Sequence, residues 1–110
     1  MWATRSARTW CWIAALLISA AVPAAQANEA GRTKSAACSA CHGRLGLATL
    51  PDAPNLAGQP AIYVEAQLKA YRSGARQHPV MNVVAQYLSD ADIAALAAWY
   101  ASLKVEVKEP

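Results

Sequence analysis

The chain has 110 residues, ten basic and seven acidic side chains, and a formal net charge of +3, and this length is typical of a single domain. Two of the basic residues, Arg5 and Arg8, lie in the first 27 residues, so the rest of the chain has a formal charge of only +1. No block of like charge is present in that remainder. We therefore expect no nucleic-acid partner, because such partners require a basic patch or stripe.

The N-terminal 27 residues have the order of a secretory signal peptide. Arg5 and Arg8 precede an uncharged run over residues 10–22, and the small-x-small site Ala25-Gln26-Ala27 follows it. The run is shorter than the roughly 20 residues that a membrane-spanning helix needs. We expect cleavage after Ala27 and export to the periplasm. The alternative is an uncleaved anchor that tethers the domain outside the cytoplasm.

Residues 28–110, the expected mature domain, are rich in Ala and show no sustained alternation of polar and apolar residues. This pattern predicts an all-α domain. A loop over residues 43–59 is long for so small a domain and needs something to wrap around. We expect four helices. The first runs from about Glu29 to Cys41 with Asn28 as a candidate N-cap, and the second runs from Pro60 to near Ser73, with Gly74 after it. The third covers Asn82 to Leu88, and the fourth follows the N-cap Ser89 and carries Asp90 and Asp92 in its first turn.

The residues from Cys38 to His42 form the motif C-x-x-C-H, which is typical of covalent c-type haem attachment. Positions i, i+3 and i+4 lie on one face of a helical turn. Cys38 and Cys41 can therefore form thioethers with the two vinyl groups of one haem. The same turn places His42 beneath the iron as an axial ligand.

Three other chemistries use a pair of cysteines at this spacing. A structural zinc site needs four ligands, and His78 is the only further imidazole after residue 27. A thioredoxin-like thiol pair is expected beside a βαβ pattern, which the sequence lacks. A plain disulfide suits an exported protein. We favour haem, since export also matches the place where bacterial c-type haem is attached.

The second axial ligand is sought among the remaining sulfur and imidazole groups. Met81 is the only methionine after the expected cleavage site, and a Met/His pair is one of the established ligand sets of haem iron. Pro79 stiffens the chain before Met81. The competing ligand is His78, only three residues away, and a lone methionine also occurs as a filler of apolar cores. We expect Met81 to bind the iron.

Several segments of the chain, taken in their order along the sequence, resemble those of the class I c-type cytochromes. The likeness is greatest to the single-haem domains of bacterial di-haem cytochromes and to their short single-haem relatives. The segments that carry the resemblance are Gly31–Ala37, Cys38–Gly43, Pro54–Gln59, Tyr63, Gln67-Leu68, Tyr71–Arg76, Pro79–Met81 and Leu88–Tyr100. The resemblance implies a small class I cytochrome c fold, with about four helices around one covalent haem c.

The same resemblance implies roles for individual residues. The terminal helices would cross at Gly31, against Trp99 or Tyr100. Met81 would be the distal ligand of the iron, and the carbonyl group of Pro54 would accept a hydrogen bond from His42. Three further side chains could reach the haem propionates: those of Tyr63, Tyr71 and Arg76.

We expect a monomeric one-electron carrier, and not an enzyme, whose six-coordinate His42/Met81 haem cycles between ferrous and ferric iron. Its partners would be redox proteins that dock transiently at the haem edge, with membrane contact only through redox complexes. One alternative is a haem subunit of a periplasmic dehydrogenase or oxidase complex. Another is a five-coordinate haem that binds small gases or peroxide, which requires that Met81 does not ligate.

Overall fold

The computed structural model describes residues 20–21 and 23–110. The charged start and most of the apolar run of the expected signal peptide lie outside these residues, so the signal peptide stays a prediction. Within the described part of the chain, no helix has the length and apolar character needed to cross a membrane.

Helices make up all the regular secondary structure of the described residues, which confirms the all-α expectation. The elements in chain order are α1 (Ala24–Ser35), a 3₁₀ turn (Ala36–Cys38), α2 (Ser39–His42), α3 (Ala61–Ser73), α4 (Met81–Ala85) and α5 (Asp90–Ser102).

The first helical segment differs from the expectation at both ends. It begins at Ala24, directly after Pro23, so Asn28 lies inside α1 and does not cap it. The Ala-rich stretch before Asn28 favours this extension. Helix α1 ends at Ser35, and the 3₁₀ turn follows it directly. The hydroxyl of Ser39, just after this turn, donates to the carbonyl oxygen of Ala36 at 2.7 Å.

The later helices begin and end close to the expected positions. Helix α3 ends at Ser73, and the next residue, Gly74, has a φ of 81° that is readily adopted only by glycine. At the start of α5, the hydroxyl of Ser89 accepts from the amide of Asp92, whose carboxylate accepts from the amide of Ser89. This capping box confirms Ser89 as the N-cap. Helix α4 is shorter than expected and begins one residue earlier, at Met81.

The packing centres on α5, which contacts both α1 and α3. At the crossing of α1 and α5, a Cβ atom on Gly31 would collide with the carbonyl oxygen of Ala95 and lie 2.6 Å from Cβ of Trp99. The expected crossing at Gly31 is therefore confirmed, and it is Trp99 that meets the glycine. The buried apolar side chains of the described residues are few: Val64, Ala85, Ile93, Leu96, Ala97 and Tyr100.

Candidate haem-binding site

The 3₁₀ turn and α2 carry the C-x-x-C-H motif. Cys38 and Cys41 are half-buried free thiols, and His42 is buried at the last position of α2. Gly43 ends the helix with a φ of 77°, and a Cβ atom there would collide with the carbonyl oxygen of Leu47. The chain therefore turns sharply after His42, at a position where only glycine fits.

The imidazole of His42 has a fixed orientation and tautomer. Its Nδ1 atom lies 2.9 Å from the carbonyl oxygen of Pro54. A carbonyl oxygen can only accept a hydrogen bond, so Nδ1 carries the ring proton and the lone pair lies on Nε2. This is the hydrogen bond that the resemblance implied. A bond of this kind orients a metal-binding histidine and raises the basicity of its free nitrogen.

Hydrogen bonds within the loop between α2 and α3 hold the Pro54 carbonyl in place. The side-chain oxygen of Asn55 accepts from the amide of Ala48 at 2.7 Å. The amide of Thr49 donates to the carbonyl oxygen of Cys41 at 3.1 Å. Farther along, the amide of Gly58 donates to the carbonyl oxygen of Tyr100 at 2.8 Å, which ties the loop to α5. The loop thus returns beside α2 and presents Pro54 to the ring of His42.

The half-buried thiol of Cys38 lies beside Tyr100. Burial raises the pKa of this thiol, so the neutral form is favoured before haem attachment. Burial and the neighbouring Cys38 also raise the pKa of Tyr100 well above its usual range. The Tyr100 hydroxyl lies near Cys38 and Ser35, and among residues 20–21 and 23–110 it has no hydrogen-bond partner. The Tyr100 ring packs close to Gly46, where an added Cβ atom would lie 3.0 Å from it.

Met81 is the first residue of α4 and is half-buried. His78, the competing ligand, is exposed, and its Nδ1 atom accepts hydrogen bonds from the amides of Val80 and Met81. The structure therefore places the two candidate ligands in one turn with different surroundings. The sequence did not indicate a role for Asn82, whose side-chain amide forms hydrogen bonds with one backbone amide and two backbone carbonyl groups around this turn.

The residues considered for the propionates occupy α3 and the loop after it. The guanidinium of Arg76 lies 4.7 Å from the centre of the Tyr71 ring, and it donates to the side-chain oxygen of Gln67 at 2.6 Å. Tyr63 is exposed near the start of α3. These contacts hold Arg76 against α3, and its contact with a propionate stays a prediction.

The donor atoms of the motif fit haem better than they fit zinc. Among residues 20–21 and 23–110, no group of three or more His, Cys, Asp or Glu side chains could hold a metal ion. Two free thiols three residues apart and an imidazole with its lone pair on Nε2 are what a covalent haem requires. Several large apolar side chains are exposed at positions close in sequence to His42 or Met81: Leu45, Leu47, Val80 and Val83. Exposed apolar side chains of this kind are expected where a porphyrin would cover them.

This combination of an all-α fold with a C-x-x-C-H turn defines a small class I c-type cytochrome. The model of the Cytochrome c family matches residues 28–104, and the chain belongs to the cytochrome c family. It therefore carries covalently bound haem c with its iron and is an electron-transfer haem protein.

Curated relatives include short and long cytochromes. The chain is 49% identical over 76 residues to cytochrome c-554(548) of Halomonas halodenitrificans, covering 66% of this chain and 92% of that protein. It is 41% identical to cytochrome c4 of Pseudomonas aeruginosa, covering 71% of this chain but 39% of that protein. A protein of Thiomonas intermedia named thiosulfate dehydrogenase electron acceptor is 43% identical, with 76% of this chain and 38% of that protein covered.

Among solved structures, reduced recombinant cytochrome c4 from Pseudomonas stutzeri is similar to this fold, with a TM-score of 0.69 and 29% sequence identity. The similarity covers 73% of this chain and 50% of that chain. The chain thus spans about half the length of this longer relative.

Proposed function

We propose that the protein is a periplasmic one-electron carrier whose haem iron is bound by His42 and Met81. The observation that carries the proposal is the 2.9 Å contact between Nδ1 of His42 and the carbonyl oxygen of Pro54, which leaves the lone pair of the ring on Nε2 for a metal. The motif supplies two free thiols in the same turn, Cys38 and Cys41.

Each residue of the site has a separate task in this proposal. Cys38 and Cys41 would form the two thioethers, and His42 would supply a nitrogen ligand to the iron. Met81 would supply a sulfur ligand and so exclude substrates from the metal. The bound group supplies one-electron exchange between ferrous and ferric iron. If His42 and Met81 stay bound in both oxidation states, the protein would have little to rearrange, and the thioether would favour a high potential.

Export to the periplasm is part of the same proposal. The order of charges, apolar run and Ala25-Gln26-Ala27 supports a signal peptide that is cleaved after Ala27. Cleavage would shorten α1 to the part that begins at Asn28. The crossing at Gly31 lies beyond the cleavage site, so its close approach to Ala95 and Trp99 of α5 would be kept in the mature chain.

The partners that we propose are redox proteins that dock transiently. The formal charge of +1 after residue 27 supports weak electrostatic steering, and small transient contacts suit rapid electron exchange. A second candidate function is a haem subunit of a dehydrogenase complex. Its support is that two relatives, from Thiomonas intermedia and Stutzerimonas stutzeri, are named thiosulfate dehydrogenase electron acceptor.

The proposal is tested on the holoprotein purified from the periplasmic fraction. Intact mass should correspond to a chain from Asn28 plus one haem, and the ferrous protein should not bind carbon monoxide. Reversible titration should show a single one-electron step. Carbon monoxide binding by the native protein would refute the closed six-coordinate site. Stable co-purification with a dehydrogenase under mild conditions would favour the subunit over the free carrier.

A further inference from the structure

The imidazole of His78 lies at the N-terminal end of α4, directly before Met81. Its Nδ1 atom is 3.2 Å from the amide nitrogen of Val80 and 3.3 Å from that of Met81. The first amides of a helix have no partner within the helix, so a side-chain acceptor there acts as a cap. His78, two residues before the N-cap Val80, therefore supplies the acceptor for the amides of the N-cap and of the first helical residue.

This geometry determines the tautomer of the His78 ring. An amide can only donate, so Nδ1 of His78 must keep its lone pair directed towards the two amides. In the neutral ring the proton then lies on Nε2. Neither nitrogen has a lone pair left for iron, and in this arrangement His78 is not a haem ligand.

Asn82 fixes the same turn from its other end. Its side-chain oxygen accepts from the amide of His78 at 2.5 Å. Its amide nitrogen donates to the carbonyl oxygen of Tyr71 at 2.7 Å and to that of Arg76 at 2.8 Å. Tyr71 lies in the last turn of α3, which packs against α5. The turn that carries Met81 is thus tied to the packed helices through one amide side chain.

We propose that His78 and Asn82 are positioning residues for Met81: the His78 ring holds the Met81 backbone, and Asn82 anchors the His78 backbone to α3. This inference rests on the proposed ligation by Met81. Neither residue touches the iron. Their effect is to disfavour the open state in which the methionine sulfur leaves the metal, because opening the turn breaks the hydrogen bonds to both side chains.

Exogenous imidazole reports this open state, since it binds ferric iron only after Met81 has left. The ferric holoprotein is titrated with imidazole, and the long-wavelength sulfur-to-iron band is recorded before each titration. Replacing His78→Ala removes an acceptor for two amides and should raise the imidazole affinity about tenfold. His78→Asn keeps a side-chain oxygen that can accept from amides two and three residues ahead, and should restore wild-type affinity.

Asn82 is tested with a matched pair in the same titration. Asn82→Ala removes every side-chain bond of the anchor and should also raise the affinity about tenfold. Asn82→Asp keeps the acceptor for His78 but loses both donors, so its affinity should lie between those of Asn82→Ala and wild type. The control is Gln77→Ala, which removes a side-chain bond of the same loop to the carbonyl oxygen of Gly74 and should leave the affinity unchanged.

A direct measurement on the unmutated protein covers the case in which a variant fails to assemble. Nitrogen chemical shifts of the His78 ring in the diamagnetic ferrous holoprotein at pH 8 should show a proton on Nε2 and none on Nδ1. A proton on Nδ1 would overturn the proposal.

The possible failures are distinguishable. If the sulfur-to-iron band is present in wild type and His78→Ala binds imidazole with wild-type affinity, the positioning role is refuted while ligation by Met81 stands. A tenfold change in Gln77→Ala would also refute it, because any loosening of the loop would then suffice. If wild type lacks the band, the ligation itself fails and the positioning role fails with it.

Discussion

The carbonyl oxygen of Pro54 lies 2.9 Å from Nδ1 of His42, across a loop that leaves α2 and returns beside it. A backbone group therefore sets the orientation of the residue that should bind the iron. The bond from Nδ1 raises the electron donation from Nε2, which stabilises ferric over ferrous iron. The position of one carbonyl group thus bears on the potential of the haem.

Replacing Asn55→Ala should raise the reduction potential. The side chain of Asn55 holds the loop next to Pro54 through its bond to the amide of Ala48, and its loss should weaken the contact with His42. The expected rise is on the order of tens of millivolts, measured by redox titration. Asn55→Asp keeps the acceptor oxygen and is the control. An unchanged potential in Asn55→Ala would show that the carbonyl group of Pro54 is held without this bond.

Gly31 should tolerate no side chain at the crossing of α1 and α5. Gly31→Val should destabilise the holoprotein by about 2 kcal/mol or more, because its Cβ would meet the backbone of Ala95 and cannot move away by rotation. Ala30→Val adds a branched side chain at the neighbouring exposed position and should cost well under 1 kcal/mol. Denaturant unfolding measures both variants, and equal losses would contradict the close approach.

Acid should weaken the link between α3 and α5. The Arg72 guanidinium holds the pKa of Asp90 below its ordinary value of 3.8. A carboxylate whose pKa is lower in the folded than in the unfolded state stabilises the fold at pH values above its unfolded-state pKa. This contribution is lost as the pH falls through the folded-state pKa. Asp90→Asn should therefore lower the melting temperature at pH 7, by an amount that shrinks towards zero below pH 3.8.

The control for the acid experiment is Glu106→Gln, an exposed carboxyl in the tail after α5. It should leave the melting temperature nearly unchanged across the same pH range. A loss in Asp90→Asn that persists undiminished at low pH would show that the charge of Asp90 is not the cause.

The apo-protein should be largely unfolded. The buried apolar core of the described residues contains only six side chains, and two of them are alanines. Ordering the chain costs about 1–2 kcal/mol per residue, so haem must supply much of the buried surface. Circular dichroism of a Cys38→Ala, Cys41→Ala double variant should show little helix at 25 °C and no cooperative melt. A helical, cooperatively melting double variant would contradict this expectation.

The sequence specified the helices better than the turns between them. Ser89 with Asp92, and Gly74 after Ser73, are local signals, and the helix ends lie where those signals predict. The break between α1 and α2, a 3₁₀ turn over Ala36–Cys38, could not be predicted, because no glycine or proline marks it in this Ala-rich stretch. The start at Ala24 was missed because a cleavage signal and a helix both favour the same Ala-rich residues.

The site was predictable where side chains carry the chemistry. The spacing of Cys38, Cys41 and His42 predicts haem from sequence alone. The bond to Pro54 followed only from the family resemblance, since a backbone carbonyl leaves no mark in the sequence. The role of Asn82 could not be inferred, because its three partners are backbone groups that only the fold brings together.

The ferric absorption spectrum of Met81→Ala, recorded beside that of His78→Ala, tests the central claim most directly. Met81→Ala should lose the sulfur-to-iron band, show a markedly lower potential and bind carbon monoxide when reduced. His78→Ala should keep the band in the absence of added ligand. The reverse pattern, with Met81→Ala unchanged and the iron of His78→Ala open to carbon monoxide, would contradict the claim and make the haem a low-potential bis-histidine centre.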